Sequence, residues 1–186
     1  MRDDCRVTRE IPYFAYGTLQ VGLPNHGLFA DLLGTRVSRV RTVDAHAIVV
    51  PKHAGCSNPG CGLLHRMAGL VPGIEPFHAE GDLFMVDEGG IAEIDRLEGC
   101  ADGSAGPYVR SLVDIVAVDG GAGAWRAAGY LVHDPEGWRS LLARGAADAF
   151  SVFDPRLVGG SAPKACCLRD PGHTGAHEVV DPLDRD

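Results

Sequence analysis

Two features of the chain could do chemistry together. Phe14-Ala15-Tyr16-Gly17-Thr18-Leu19 leads from an apolar stretch into a glycine-containing turn, and far along the chain Glu98 stands among the apolar residues of a short helical pattern. A turn that presents successive backbone N–H groups can hold an anionic or carbonyl oxygen, and a carboxyl removed from water can exchange protons near neutral pH. The pair points to an acid/base enzyme.

At about 100° per residue, Ile91, Ile94 and Leu97 share one helix face, and Glu98, seven residues after Ile91, lies nearly above it. On this reading Glu98 points inward, where loss of water destabilises its charged form and raises its pKa. A second reading stays open: Glu98 ends the helix before Gly99, a favourable residue just past a helix C-terminus, and reaches solvent. The 16–19 turn also reads as an ordinary strand exit, in which Gly17 permits a positive φ.

These residues need a frame. A strand is predicted over 13–16, between Pro12 and Gly17, and a short helix over 28–33. Residues 36–50 are rich in Val and Thr and read as one or two strands, expected to pair with the first. Residues 81–86 form another strand, followed by Asp87 as the N-cap of the helix that carries Glu98. Residues 108–118 and 127–132 read as a hairpin around Gly120-Gly121-Ala122-Gly123, and a last helix begins at Pro135 and runs to Leu142 or beyond. Strands dominate, with short helices at uneven spacing. The fold class expected is α+β: a mixed, mostly antiparallel β-barrel or roll with flanking short helices.

Length and charge narrow the function. A chain of 186 residues, 45% of them hydrophobic, can bury one sizeable core, so residues 1–160 are expected as one domain, and 161–186 as a Cys/His-containing tail. A net charge of -8 argues against nucleic acid or an anionic membrane surface and favours a small-molecule substrate. No run reaches the roughly 18 apolar residues of a membrane span, and the acidic start Met1-Arg2-Asp3-Asp4 lacks an export pattern. A cytoplasmic protein is expected.

Four pieces of the chain, in order, resemble the γ-glutamylcyclotransferase-like family. Tyr16-Gly17-Thr18-Leu19 is similar to its opening motif, and the following Pro24-Asn25-His26 resembles the γ-glutamylamine cyclotransferase branch. Gly81-Asp82-Leu83-Phe84 is similar to its Gly-x-Leu-Tyr strand, Ile94-Asp95-Arg96-Leu97-Glu98-Gly99 to its catalytic-Glu helix, and Tyr108-Val109-Arg110 to its Tyr-x-Arg strand. The resemblance implies a β-barrel enzyme that releases an amine or amino acid from a γ-glutamyl compound while the glutamyl part closes to 5-oxoproline. It implies Glu98 as general acid/base, with Tyr16, Gly17, Thr18, Leu19 and Tyr108 at the substrate, and no catalytic cofactor. By residue type alone, Asn25 also reads as a helix cap, and Tyr108 and Arg110 as cross-strand partners.

Three segments depart from that pattern: an insertion at about 52–73, a longer loop at 101–106, and the tail from Ala162 to Asp186. The insertion holds Cys56-x4-Cys61-x3-His65, and the tail holds Cys166-Cys167 followed by His173 and His177. Zinc takes four such ligands tetrahedrally. The insertion and the tail could each supply two ligands, drawn from Cys56 and Cys61 and from Cys167, His173 and His177, to a structural site that staples them together, or the tail could bind alone through Cys166, Cys167, His173 and His177. Solvated side chains without metal are the plain alternative. The competing function is a non-catalytic interaction module of the same fold that grips a protein partner through this tail.

Overall fold

The apolar run Ile11–Ala15 forms strand β1, and with no polar face to offer it buries both. Phe14 joins one core with Val40, Leu83 and Ile115, while Tyr13 and Ala15 join another with Phe84, Ile91 and Ile94. In the structure, a computed structural model, residues 10–23, 25–51, 68–100, 106–118 and 123–154 are described. After β1 come α1 (His26–Leu33), β2 (Thr35–Thr42), β3 (His46–Pro51), β4 (Gly69–Pro72) and β5 (Glu80–Val86). They are followed by α2 (Glu88–Leu97), β6 (Tyr108–Ala117), β7 (Ala124–Val132), α3 (Pro135–Ala143) and β8 (Ala147–Phe150).

β1 pairs antiparallel with β5, β5 with β2, β2 with β6 and β6 with β7, and β7 returns to β1 in parallel at Tyr13 and Ala128. These strands close a mixed barrel, from which β4, β3 and β8 extend beyond β7. The α+β barrel with flanking short helices is therefore the fold of this chain. β6 occupies one edge of β7 along its length, so β1 and β4 share the other edge, β1 at Ala128 and β4 at Leu131. The sheet forks there, and β1 leaves β7 just as the chain enters the 16–19 turn.

Several expectations change. The first strand begins at Ile11, with Pro12 inside it, and ends at Ala15. The 36–50 segment is two strands, neither paired with β1, because β5 lies between β1 and β2. The reason is burial: β5 is buried on both faces like β1, whereas β2 turns Arg36, Arg39 and Arg41 to solvent. β4 falls within the stretch expected as an insertion and pairs with both β3 and β7. Among the described residues no helix is long and apolar enough to cross a membrane.

Candidate active site

Helix α2 carries Glu98 at its C-terminal cap. Its start is fixed by Asp87, whose carboxylate accepts the Gly90 N–H at 2.7 Å, and its buried face is Ile91 and Ile94. Leu97, expected on that face, is 45% exposed at the mouth of the site. The helix end is closed by two bonds, Cys100 N–H to the Asp95 carbonyl at 2.7 Å and Gly99 N–H to the Arg96 carbonyl at 3.2 Å. Gly99 takes the φ of +74° that this closure needs. Glu98 therefore does end the helix, as its second reading held, yet its side chain lines a cavity. Asp95, one turn earlier, accepts from the Tyr130 hydroxyl at 2.7 Å and from Arg110 at 2.6 Å, which ties this end of α2 to β6 and β7.

The 16–19 turn is held from outside. Gln20 Nε2 donates to the Tyr16 carbonyl at 2.7 Å and to the Gly17 carbonyl at 3.3 Å, and the Gln20 N–H also reaches Gly17 O at 3.2 Å. In a planar trans peptide the N–H points away from the preceding C=O, so the Gly17 and Thr18 amides face away from Gln20. The amides of Gly17, Thr18 and Leu19 meet no acceptor among the described residues. The Tyr16 hydroxyl donates to the Tyr130 carbonyl at 2.7 Å, pinning the turn to β7. Asn25 stands at the N-cap position of α1 but does not cap it; its Nδ2 donates to Thr18 Oγ1 at 2.9 Å.

Asp82 of β5 secures the far end of the turn. Only 5% exposed, its carboxylate accepts the Val21 N–H at 2.8 Å and pairs with Arg36 at 2.8 Å. Asp82→Asn keeps the shape but weakens both bonds, and Arg36 is half-exposed and can rehydrate. We expect a loss of about 1–2 kcal/mol in urea unfolding, with KM raised several-fold as the turn loosens. An unchanged KM would show that the turn does not depend on this anchor.

Glu98 and the turn meet in one cavity of about 400 Å³. Tyr13, Tyr16, Gly17, Thr18, Leu19, Tyr108 and Tyr130 line it with Glu98, so all four tyrosines of the chain surround the carboxyl. Burial pushes Glu98 from its ordinary 4.5 up to about 7. Its carboxyl has no hydrogen-bond or ion-pair partner among the described residues. Burial first drives the hydroxyls of Tyr13, Tyr108 and Tyr130 upward, followed by the nearby Glu98 for Tyr13 and Tyr108 and by the hydrogen-bonded Asp95 for Tyr130, so they stay protonated donors. The site thus combines fixed N–H and O–H donors with one acid poised to change protonation near neutrality.

Every site residue expected from the sequence within the described residues reaches this cavity: Glu98, Tyr16, Gly17, Thr18, Leu19 and Tyr108. Tyr108 also donates its hydroxyl to the Ala68 carbonyl at 3.0 Å. Sequence reasoning missed Tyr13 and Tyr130, and it named Asn25 in the Pro24-Asn25-His26 resemblance and as a helix cap without placing it at the substrate. Strand alternation puts Tyr13 and Tyr16 on opposite faces, and they converge only because the chain turns after Ala15. The candidate metal ligands Cys56, Cys61, Cys167, His173 and His177, with His65 and Cys166, lie outside the described residues. The Cys100 thiol donates to the Tyr108 carbonyl at 3.1 Å.

Comparison with known proteins adds three findings. Residues 13–146 match the family model described as gamma-glutamyl cyclotransferase, AIG2-like. A protein of Arabidopsis thaliana, provisionally named a gamma-glutamylcyclotransferase, is 30% identical over 112 residues, covering 57% of this chain and 51% of its own. The chain thus spans about half the length of that curated relative. Among solved structures, an AIG2-like protein of Mus musculus superposes with a TM-score of 0.57 at 21% identity, covering 78% of this chain and 89% of that one, and shares its fold.

Proposed function

The chain belongs to the gamma-glutamyl cyclotransferase, AIG2-like family, and from that premise we propose that it releases an amine from a γ-glutamyl amine with formation of 5-oxoproline. The observation that carries this reading is the shared cavity of Glu98 and the 16–19 turn. The Gly17, Thr18 and Leu19 amides take an oxygen of the glutamyl head. Glu98, as carboxylate, takes a proton from the α-ammonium. The freed α-amine attacks the γ-carbonyl carbon, a C–N bond closes the five-membered ring, and the carbonyl electron pair moves to oxygen. Collapse breaks the bond to the departing nitrogen, which receives the Glu98 proton, and the carboxylate so restored carries the second proton from the ring nitrogen to the released amine.

One of the ammonium's three protons stays on the lactam nitrogen, and the other two leave with the amine as its ammonium. No water is consumed and no enzyme nucleophile is needed. Holding the chain folded for ring closure supplies much of the rate, and the proton shuttle adds roughly 10²- to 10⁴-fold. The choice of an amine over an amino acid as leaving group rests on Pro24-Asn25-His26, the stretch similar to the γ-glutamylamine branch.

The test is direct. Purified protein incubated with γ-glutamyl-ε-lysine, other γ-glutamyl amines and γ-glutamyl amino acids should form 5-oxoproline, fastest from an amine. Product from amino acids alone would overturn the leaving-group assignment, and no product from any would overturn the activity.

A further inference from the structure

The four tyrosines around Glu98 are not equivalent. Tyr16 gives its hydroxyl proton to the Tyr130 carbonyl, Tyr108 gives its own to Ala68, and Tyr130 gives its own to Asp95. The hydroxyl of Tyr13 has no partner among the described residues. The residue is only 3% exposed, and it lines the same cavity as Glu98. Buried hydroxyls almost always find a partner, so an orphan facing a cavity marks a bond meant for something else. Its ring is well fixed, packed edge-on to Tyr130 with centroids 6.1 Å apart and planes at 69°.

Among the described residues, the polar groups of the cavity that make no bond at all are the three turn amides and the Tyr13 hydroxyl, all donors, and the Glu98 carboxyl; Thr18 Oγ1 already accepts from Asn25. A glutamyl head presents two sets of oxygens, the α-carboxylate and the γ-carbonyl, and one ammonium. The carboxyl suits the ammonium, and the amides suit one set of oxygens. The other set needs a donor, and the hydroxyl of Tyr13 is the buried one that makes no bond among the described residues. We propose that Tyr13 is a substrate-contacting residue whose hydroxyl donates to an oxygen of the glutamyl head beside Glu98. The inference rests on the reading under Proposed function and adds a named donor to it.

Tyr13→Phe separates this from a structural role, because the ring and its packing survive and only the orphan hydroxyl is lost. The expected result is a fall of about 10- to 100-fold in kcat/KM for 5-oxoproline release, with a thermal midpoint equal to or above the parent's. The fall would lie in kcat if the bond is to the γ-oxygen, and in KM if it is to the α-carboxylate. An active parent with an equally active Tyr13→Phe overturns the assignment alone and leaves the activity standing. A variant that loses activity together with thermal stability also overturns it, since the hydroxyl would then be structural. A parent inactive on every γ-glutamyl compound removes the functional reading and this assignment together.

Discussion

Glu98→Gln should abolish most 5-oxoproline formation, a loss of roughly 10²- to 10⁴-fold in kcat, while the folded protein becomes more stable at alkaline pH. The two effects have one cause. The carboxyl is raised by burial from 4.5 to about 7 and has no partner among the described residues to repay its ionisation. Between those values the folded chain binds more protons than the unfolded chain, so the parent loses stability as pH rises through that window. Glutamine carries no charge, so the variant avoids the penalty. Unfolding should show parent and variant nearly equal at pH 4.5 and the variant ahead by up to about 3 kcal/mol at pH 8. Because the shuttle starts from the carboxylate, kcat/KM of the parent should climb with pH through about 7. A flat profile, or a variant that matches the parent in activity, would remove Glu98 from the mechanism.

The second large effect concerns Gly81→Ala. A Cβ at Gly81 would stand 2.2 Å from the Ala15 carbonyl oxygen and 2.7 Å from the Phe14 ring. The first of these is backbone and cannot swing aside, so β1 must shift away from β5 at its last residue, one step before the turn. We expect a loss of about 3 kcal/mol, which for a chain this size lowers the thermal midpoint by roughly 6–12 °C. Activity should fall further than stability explains, because Tyr16, Gly17 and Thr18 follow directly from the displaced segment. Differential scanning calorimetry with steady-state kinetics, below the transition, separates the two. A variant with normal midpoint and rate would mean that β1 and β5 approach less closely than described.

Local rules reached some parts of this molecule and not others. Asp87 as a helix cap, the inward face of Ile91 and Ile94, and the hairpin strands β6 and β7 follow from short-range spacing, and the structure has each of them. Glu98 was legible for the same reason, since two helical turns from Ile91 set it on the same side of α2. The partners of β1 were not, because β5 lies far along the chain, and no local pattern says which buried strand it chooses. β4 and β8 are four residues each, too short for alternation to declare itself. Tyr13 belongs to the site only through the tertiary path that carries the chain around the end of β1.

The shared edge of β7 has a further meaning. Because two neighbours divide one strand between them, the recess beside Tyr16 originates in the route of the main chain and would persist if its wall residues were exchanged. Under the proposed activity, side chains lining that recess could change which amine departs while the main-chain route that holds the 16–19 turn stays the same. Such a layout separates what evolution must keep from what it is free to vary.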